Sequence, residues 1–266
     1  MIRPGLVSVT FRPLSWERVL ALTVEAGLEG IEWGGDVHAP PGDLARAEAI
    51  AQESATHGVA VVCYGSYYRF GECMDAPGPS FDAVLATAVA LGAPVLRVWA
   101  GNKGSAHVST QERRAVVEQG KRCADLAARH NCRVAFEYHG NTLTDTVESA
   151  LSLVGAIDHP NVSLLWQPAV GRAVVEREAE LVRVLPFLAH IHCFHWGPAG
   201  FTDKRPLAEG APEWRRYLRT IPADQSTWAL LEFLPEINSD DGSPGEVRGI
   251  LQREAATLRG LVSTTS

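Results

Sequence analysis

CRVAFEYHG, residues 132–140, is the stretch that decides the fold. Its apolar centre has the length of a buried strand, and the run ends on a carboxylate, Glu137, just before a glycine-containing turn. A glutamate among apolar neighbours is costly to bury without a partner or a use. The same design recurs downstream in VSLLWQP (162–168) with Gln167, LAHIHCFHW (188–196) with His192, and WALLEFLPE (228–236) with Glu232. Each run reads as a strand carrying a polar residue near its C-terminal end. Neighbouring strands of a closed parallel barrel bring such ends together. Two carboxylates, an imidazole and an amide oxygen are a ligand set for one divalent cation.

Working outward, eight β-rich runs alternate with helical segments. The runs are 6–10, 30–33, 59–64, 94–99, 132–137, 162–166, 189–194 and 227–233. Helical periodicity marks Ser15–Gly27, Asp43–His57, Phe81–Leu91, Thr110–His130, Thr144–Ile157, Ala173–Leu185, the short Pro212–Thr220, and Glu246–Leu261. Ser15, Ser80 and Thr110 are N-cap candidates, and Gly27, Gly58 and Gly92 follow helical runs as C-terminal residues do. Strand alternating with helix predicts a parallel sheet with helices outside. Eight units predict an α/β protein, a (β/α)8 TIM barrel occupying residues 1–266 as one domain. An open doubly wound sheet is the other solution, but no GxGxxG follows the first strand. Polar and aromatic residues collect after the strands (WGGDVH, YGSYYRFG, RVWAGNKG, EYHGNT, HCFHWG), whereas the opposite ends carry short turns such as GLEG and LGAP. An active-site face at the C-terminal strand ends produces that asymmetry.

The net charge of −7 disfavours nucleic acid as a partner. No apolar stretch approaches the ~20 residues of a membrane span, and MIRPGLVSVT has no signal-peptide pattern, so the expected location is cytoplasmic. The five cysteines, Cys63, Cys73, Cys123, Cys132 and Cys193, form no CxxC pair and are expected as reduced thiols.

Taken with GIEWGGDVHAP, LRVWAG, FEYHGNTLTDT, WQP, HIHCFHW and LEF, the chain resembles the sugar phosphate isomerase/epimerase family, the xylose-isomerase-like barrels. The resemblance runs nearly the full length. It implies a (β/α)8 barrel with one divalent cation (Mn, Mg, Co or Zn) held by Glu, Asp, His and Glu on strands five to eight. By motif these fall on Glu137, Gln167, His192 and Glu232. Gln167 replaces the Asp and removes one negative charge. His195 stands where the family's His-x-x-Asp pattern has its Asp. The DNA-repair branch needs further zinc ligands where this chain has Cys63–Tyr64, Trp99 and Val170, so that branch is not matched. The implied reaction is isomerisation or epimerisation of a small sugar, polyol or sugar phosphate. Glu137 and Glu232 serve as base and acid around an enediolate. A dehydratase or lyase on the same barrel, and a non-catalytic sugar- or metal-binding protein, are the alternatives. Related barrels also form homo-oligomers.

Further candidates surround that centre. Glu32 and Trp33 begin the loop after the second strand and are expected at the substrate, and His38 and Tyr64 are placed to hydrogen-bond a sugar hydroxyl. Arg97 pairs with Glu137 or Glu32, or meets a substrate anion. His139 shares the face of Glu137 by strand period, and His195 is a further substrate contact. Trp99 and Trp166 offer apolar walls for the C–H face of a sugar, as Trp196 does. Lys204, with Arg205 in the long loop GPAGFTDKRPLAEG (197–210), is a candidate for closing over substrate or binding phosphate.

Overall fold

The computed structural model describes residues 1–71, 78–235 and 244–264. Cys73 falls outside the described residues. The elements in chain order are β1 (Ile2–Val7), α1 (Trp16–Glu25), β2 (Gly30–Gly34), α2 (Leu44–Thr56), β3 (Ala60–Arg69), α3 (Phe81–Ala90), β4 (Val95–Trp99), α4 (Thr110–Ala128), β5 (Arg133–Glu137), α5 (Val147–Ile157), β6 (Val162–Trp166), α6 (Val174–Val184), β7 (Leu188–Cys193), β8 (His195–Trp196), β9 (Lys204–Arg205), α7 (Ala211–Thr220), β10 (Thr227–Leu231) and α8 (Pro244–Ser263). Strands β1 to β7 and then β10 close into a parallel barrel, with β10 paired to both β7 and β1. This is the expected (β/α)8 barrel. The two-residue strands β8 and β9 form a small antiparallel pair in the loop after β7, which the sequence pattern did not announce. No helix among the described residues is long and apolar enough to cross a membrane.

Local chemistry explains most element boundaries. Ser15 caps α1 and Ser80 caps α3 by accepting from Arg18 N and Ala83 N. Helix α4 is capped one residue earlier than expected. Ser109 accepts from Glu112 N, while the Glu112 side chain accepts from Ser109 N, a reciprocal box. The first strand is also displaced from its expected 6–10. It runs Ile2–Val7, and Ser8–Phe11 turns into a short 3-10 helix. Pairing decides this, because Ile2 to Leu6 match Thr227 to Leu231 on β10.

The core is two-layered. Outward-facing strand residues meet the helices: Phe136 on β5 lies against Phe70, and Trp166 on β6 against Trp214 and Tyr217 of α7. A smaller cluster of Val7, Val9, Val62, Cys63 and Leu230 is separate from that shell and includes interior positions of β1, β3 and β10. Close approach inside the barrel demands glycine. A Cβ on Gly5 would sit 2.5 Å from Leu230 Cδ2 and 2.7 Å from Gly30 O. One on Gly65 would sit 2.5 Å from Arg97 Nη2 and 2.7 Å from Glu32 Oε1, so Gly65 makes room for an ion pair at the barrel centre.

Candidate active site

The two-residue period of the strands decides which side chains face the barrel axis. Glu32 on β2, Arg97 on β4, Glu137 on β5, and His190 and His192 on β7 all point inward and are buried. Glu232 follows β10 in phase with Leu230 and is also buried.

These groups form one network. Glu32 Oε1 accepts from Arg97 Nε at 2.7 Å. Its other oxygen accepts from His190 Nε2 at 2.9 Å and His192 Nε2 at 3.0 Å. Arg97 Nη1 and Trp99 Nε1 both donate to Glu137 Oε2. Gln167 Nε2 donates to Glu137 Oε1 at 3.2 Å and to Tyr138 O at 3.0 Å. His192 Nδ1 lies 3.2 Å from Glu232 Oε2. That pair lacks hydrogen-bond geometry, and both atoms are buried without a partner, as is Gln167 Oε1.

The electrostatics follow from the pairing. Burial opposes ionisation of Glu32, but Arg97 and then His192 outweigh it and hold the carboxyl well below its ordinary range. Glu137 is lowered in the same way, Arg97 again overcoming burial. Burial works against a charged His192, yet Glu32 and Glu232 push its pKa up to about 10. His190 moves the other way, because burial dominates and keeps the ring neutral.

Above this floor lies a cavity of about 520 Å³. Arg12, Tyr67, Arg97, Trp99, Glu137, His139, Gln167, Arg172, Phe194, Phe201, Glu232 and Phe233 are among its walls. The expected Arg97, Trp99, Glu137, His139, Gln167 and Glu232 therefore share one space, with His192 directly beneath, fully buried and in reach of Glu232. His139 stacks on Trp99 with ring centroids 4.9 Å apart, and its Nδ1 donates to Gly140 O at 2.6 Å.

Other expected residues are placed elsewhere. Glu32 lies below the cavity floor, 0% exposed, with both oxygens engaged by protein donors. Trp33 follows inward Glu32 and therefore faces out, edge-on to His38. His38 is tied by Nδ1 to Ser8 Oγ at 3.0 Å and by Nε2 to Leu14 O at 3.2 Å. Tyr64 donates to Ala39 O at 2.9 Å, away from the axis. Trp166 precedes inward Gln167 and packs under α7. His195 packs against Gly210 in β8, and Lys204 pairs opposite Trp196. Neither lines the cavity.

Several wall residues carry no signal in the expected strand ends. Tyr67 lies on β3 beyond the expected strand end, in phase with Cys63 and Gly65, so a longer strand would have revealed it. Its hydroxyl accepts from Arg12 Nη2 at 2.7 Å, and Arg97 stands 4.7 Å over its ring. Tyr67 (φ 58°) and Phe233 (φ 55°) both hold left-handed backbone at the cavity wall, a conformation that costs of order 1–3 kcal/mol at a bulky residue. His190 was visible only as the other histidine of HIHC.

Among the described residues, Glu32, Cys63 and His190 are the one set of three whose ligand atoms lie within 4.8 Å of one another, a spacing that can hold a metal ion and that Glu137, His192 and Glu232 do not reach. In holding one, that set would give up hydrogen bonds that Glu32 already makes. Burial, followed by Glu32, also pushes the Cys63 thiol well above its ordinary value.

Cys63, Cys123, Cys132 and Cys193 are free and buried, and burial raises Cys123 and Cys132 to about 12. At pH 8 these four thiols are expected to react with a disulfide reagent at least about 100-fold more slowly in the native protein than in denaturant. Stopped-flow thiol labelling checks this, and fast labelling of all four in the native state would contradict the packing.

Comparison with known proteins agrees with this architecture. The model of the xylose isomerase-like TIM barrel family matches residues 20–256. A curated 3-dehydroshikimate dehydratase of Bacillus anthracis is 48% identical over 180 residues, 59% of this chain and 62% of that protein. The chain thus spans less than two thirds of the length of this relative. Among solved structures, the probable 3-DHS dehydratase involved in petrobactin synthesis from Bacillus anthracis superposes with a TM-score of 0.78 at 23% identity, covering 97% of this chain and 99% of that one. The D-allulose 3-epimerase from Methylomonas sp. superposes with a TM-score of 0.71 at 15% identity, covering 98% of each chain. These superpositions establish the shared fold.

Proposed function

The chain belongs to the xylose isomerase-like TIM barrel family, and from that premise we propose that it is a divalent-metal-dependent dehydratase of 3-dehydroshikimate or a closely similar cyclic β-hydroxy ketone. The dehydratase reading replaces the isomerase or epimerase expected from the sequence. Its support is the 48% identity to a 3-dehydroshikimate dehydratase, whereas the likeness to epimerases is one of fold.

The geometric observation that carries it is the set of unpartnered polar atoms at the cavity floor. Gln167 Oε1, His192 Nδ1 and Glu232 Oε2 are buried, lack hydrogen-bond partners and belong to residues beside the Glu137 carboxylate or the cavity. Buried polar atoms left without a hydrogen-bond partner are destabilising, and a cation taking the place of the His192 Nδ1 proton relieves them. By the chemistry of their donor atoms Glu137, Gln167, His192 and Glu232 suit a divalent ion and would hold it. When bound, that ion polarises the ring ketone and acidifies the adjacent C–H.

The chain's own residues then handle the proton and the leaving group. His139 is anchored through Nδ1–H, which leaves the Nε2 lone pair on the cavity wall. Nε2 takes the proton from the carbon next to the ketone. The C–H electrons form a double bond to the next carbon, whose hydroxyl departs with the proton that His139 returns, so one water is lost. A second proton then moves from the ring methylene to the ketone oxygen, and the product is an aromatic dihydroxybenzoate. Arg97 lines the same cavity and its Nη2 has no hydrogen-bond partner, so its guanidinium can donate to a substrate oxygen once the site is occupied. Arg12 and Arg172 supply positive charge for a ring carboxylate, and Phe194, Phe201 and Phe233 form apolar cover for a flat ring.

The test is incubation of metal-loaded protein with 3-dehydroshikimate, following the ultraviolet absorbance of the aromatic product. Absence of product with several divalent ions, alongside turnover of a ketose, would overturn the reading. In the same preparation, Gln167→Asp should tighten Mn²⁺ binding on the order of tenfold, because the site regains a negative ligand. Isothermal titration measures it, and weaker binding would remove Gln167 from the coordination set.

A further inference from the structure

We propose that Glu32 is a positioning residue: it fixes which nitrogen of His192 carries the proton and thereby sets how tightly the cavity floor binds a divalent cation. The inference rests on the reading of His192 as a ligand and goes beyond it, since Glu32 touches neither the cavity nor the ion.

The argument starts from donor and acceptor counting. An ionised carboxylate only accepts. Glu32 Oε2 lies 3.0 Å from His192 Nε2, so that nitrogen must carry hydrogen. With Nε2–H held by Glu32, the proton that a cation displaces is the one on Nδ1, which faces Glu232 Oε2 at 3.2 Å. Glu32 cannot turn away to release the ring. Arg97 Nε holds Oε1 at 2.7 Å, and His190 Nε2 shares Oε2 at 2.9 Å. Gly65 leaves room for this arrangement, because a Cβ there would lie 2.7 Å from Glu32 Oε1. The carboxylate is therefore locked, 0% exposed, behind the imidazole. A carboxylate behind a metal-bound histidine fixes ring orientation and raises ligand basicity, and its loss costs about 10- to 100-fold in affinity. Two other roles fit less well. Substrate contact fails because both Glu32 oxygens are occupied below the floor. Membership of a Glu32–Cys63–His190 metal site requires those same hydrogen bonds to break.

The experiment measures Mn²⁺ dissociation constants by calorimetry for the wild type, Glu32→Gln and Cys63→Ser, with thermal melts as a folding control. Long-range ¹H–¹⁵N spectra of zinc-loaded wild type give the His192 tautomer directly. Glu32→Gln is expected to weaken Mn²⁺ about 10- to 100-fold while melting cooperatively. Cys63→Ser should leave affinity unchanged, and the wild-type spectrum should place the proton on Nε2. If the wild type binds Mn²⁺ and Glu32→Gln binds it equally well, the positioning role falls while the cation cage stands. A proton on Nδ1 in the zinc-loaded wild type overturns it without any variant. If Cys63→Ser abolishes binding, the ion sits on the buried trio, and the role of Glu32 is direct ligation. If the wild type binds no divalent ion, the cage falls first and the positioning role with it.

Discussion

His139→Asn is expected to lower turnover of 3-dehydroshikimate by about 100- to 10,000-fold, the range for a lost general base, with little change in divalent-ion affinity. The separation of these two effects is the informative part. His139 stands on the cavity wall, stacked on Trp99 and anchored to Gly140 O, and it shares no hydrogen bond with the polar atoms at the floor. Asparagine keeps the anchor's polarity and removes the lone pair that accepts the substrate proton. Glu232→Gln acts on the other half of the machinery. It should weaken the metal and turnover together, because Glu232, whose Oε2 lies 3.2 Å from His192 Nδ1, is one of the residues that would hold the ion. Single-turnover assays beside calorimetry distinguish the two variants. If His139→Asn retains activity within about threefold, the base is one of the carboxylates instead.

The second large effect concerns stability. Arg97→Leu should cost about 3–5 kcal/mol, because it removes the cation from a buried charge cluster and strands its partners. Arg97 is 2% exposed and bonds two buried carboxylates, Glu32 and Glu137. Leucine has no donor, so both lose their principal counter-ion in a region closed to water. Urea unfolding of metal-free wild type and variant, compared at constant slope, measures the difference. A loss below about 1 kcal/mol would mean that the barrel interior admits enough water to solvate the carboxylates.

Why some of this was legible beforehand can be traced residue by residue. Glu137, Gln167, His192 and Glu232 were visible because each is a polar group closing an apolar strand, and burial makes such a group expensive unless it has a purpose. The structure brings Glu137 to Gln167 and His192 to Glu232. Trp33 and Trp166 were misplaced although the pattern contained the correction. Each is adjacent to an inward residue, Glu32 or Gln167, and strand alternation sends it to the helix side. Tyr64 and Tyr67 exchanged places for a different reason. Strand β3 runs to Arg69, and its register shifts against both neighbours, between Ile31 and Glu32 on one side and between Gly65 and Arg69 on the other. Such irregularities depend on pairing partners distant in the chain. His38 appeared available to a ligand, but its two nitrogens are satisfied by Ser8 and Leu14, contacts made only once the loop after β2 folds back over the turn after β1.

The chain alone determined the alternation of strand and helix, the count of eight barrel strands, and which strand ends carry acid, amide and imidazole, since hydrophobic period and burial cost are properties of neighbouring residues. Tertiary structure decided what those groups do to one another. That Glu32 binds His192 rather than substrate, that Arg97 bridges two carboxylates, and that Tyr67 and Phe233 form the walls all depend on barrel closure, which fixes distances between residues as far apart as Glu32 and His192, 160 positions in the chain. Hydrogen bonds and ion pairs act over a few ångströms, and sequence separation carries no information about distance on that scale until the sheet has closed.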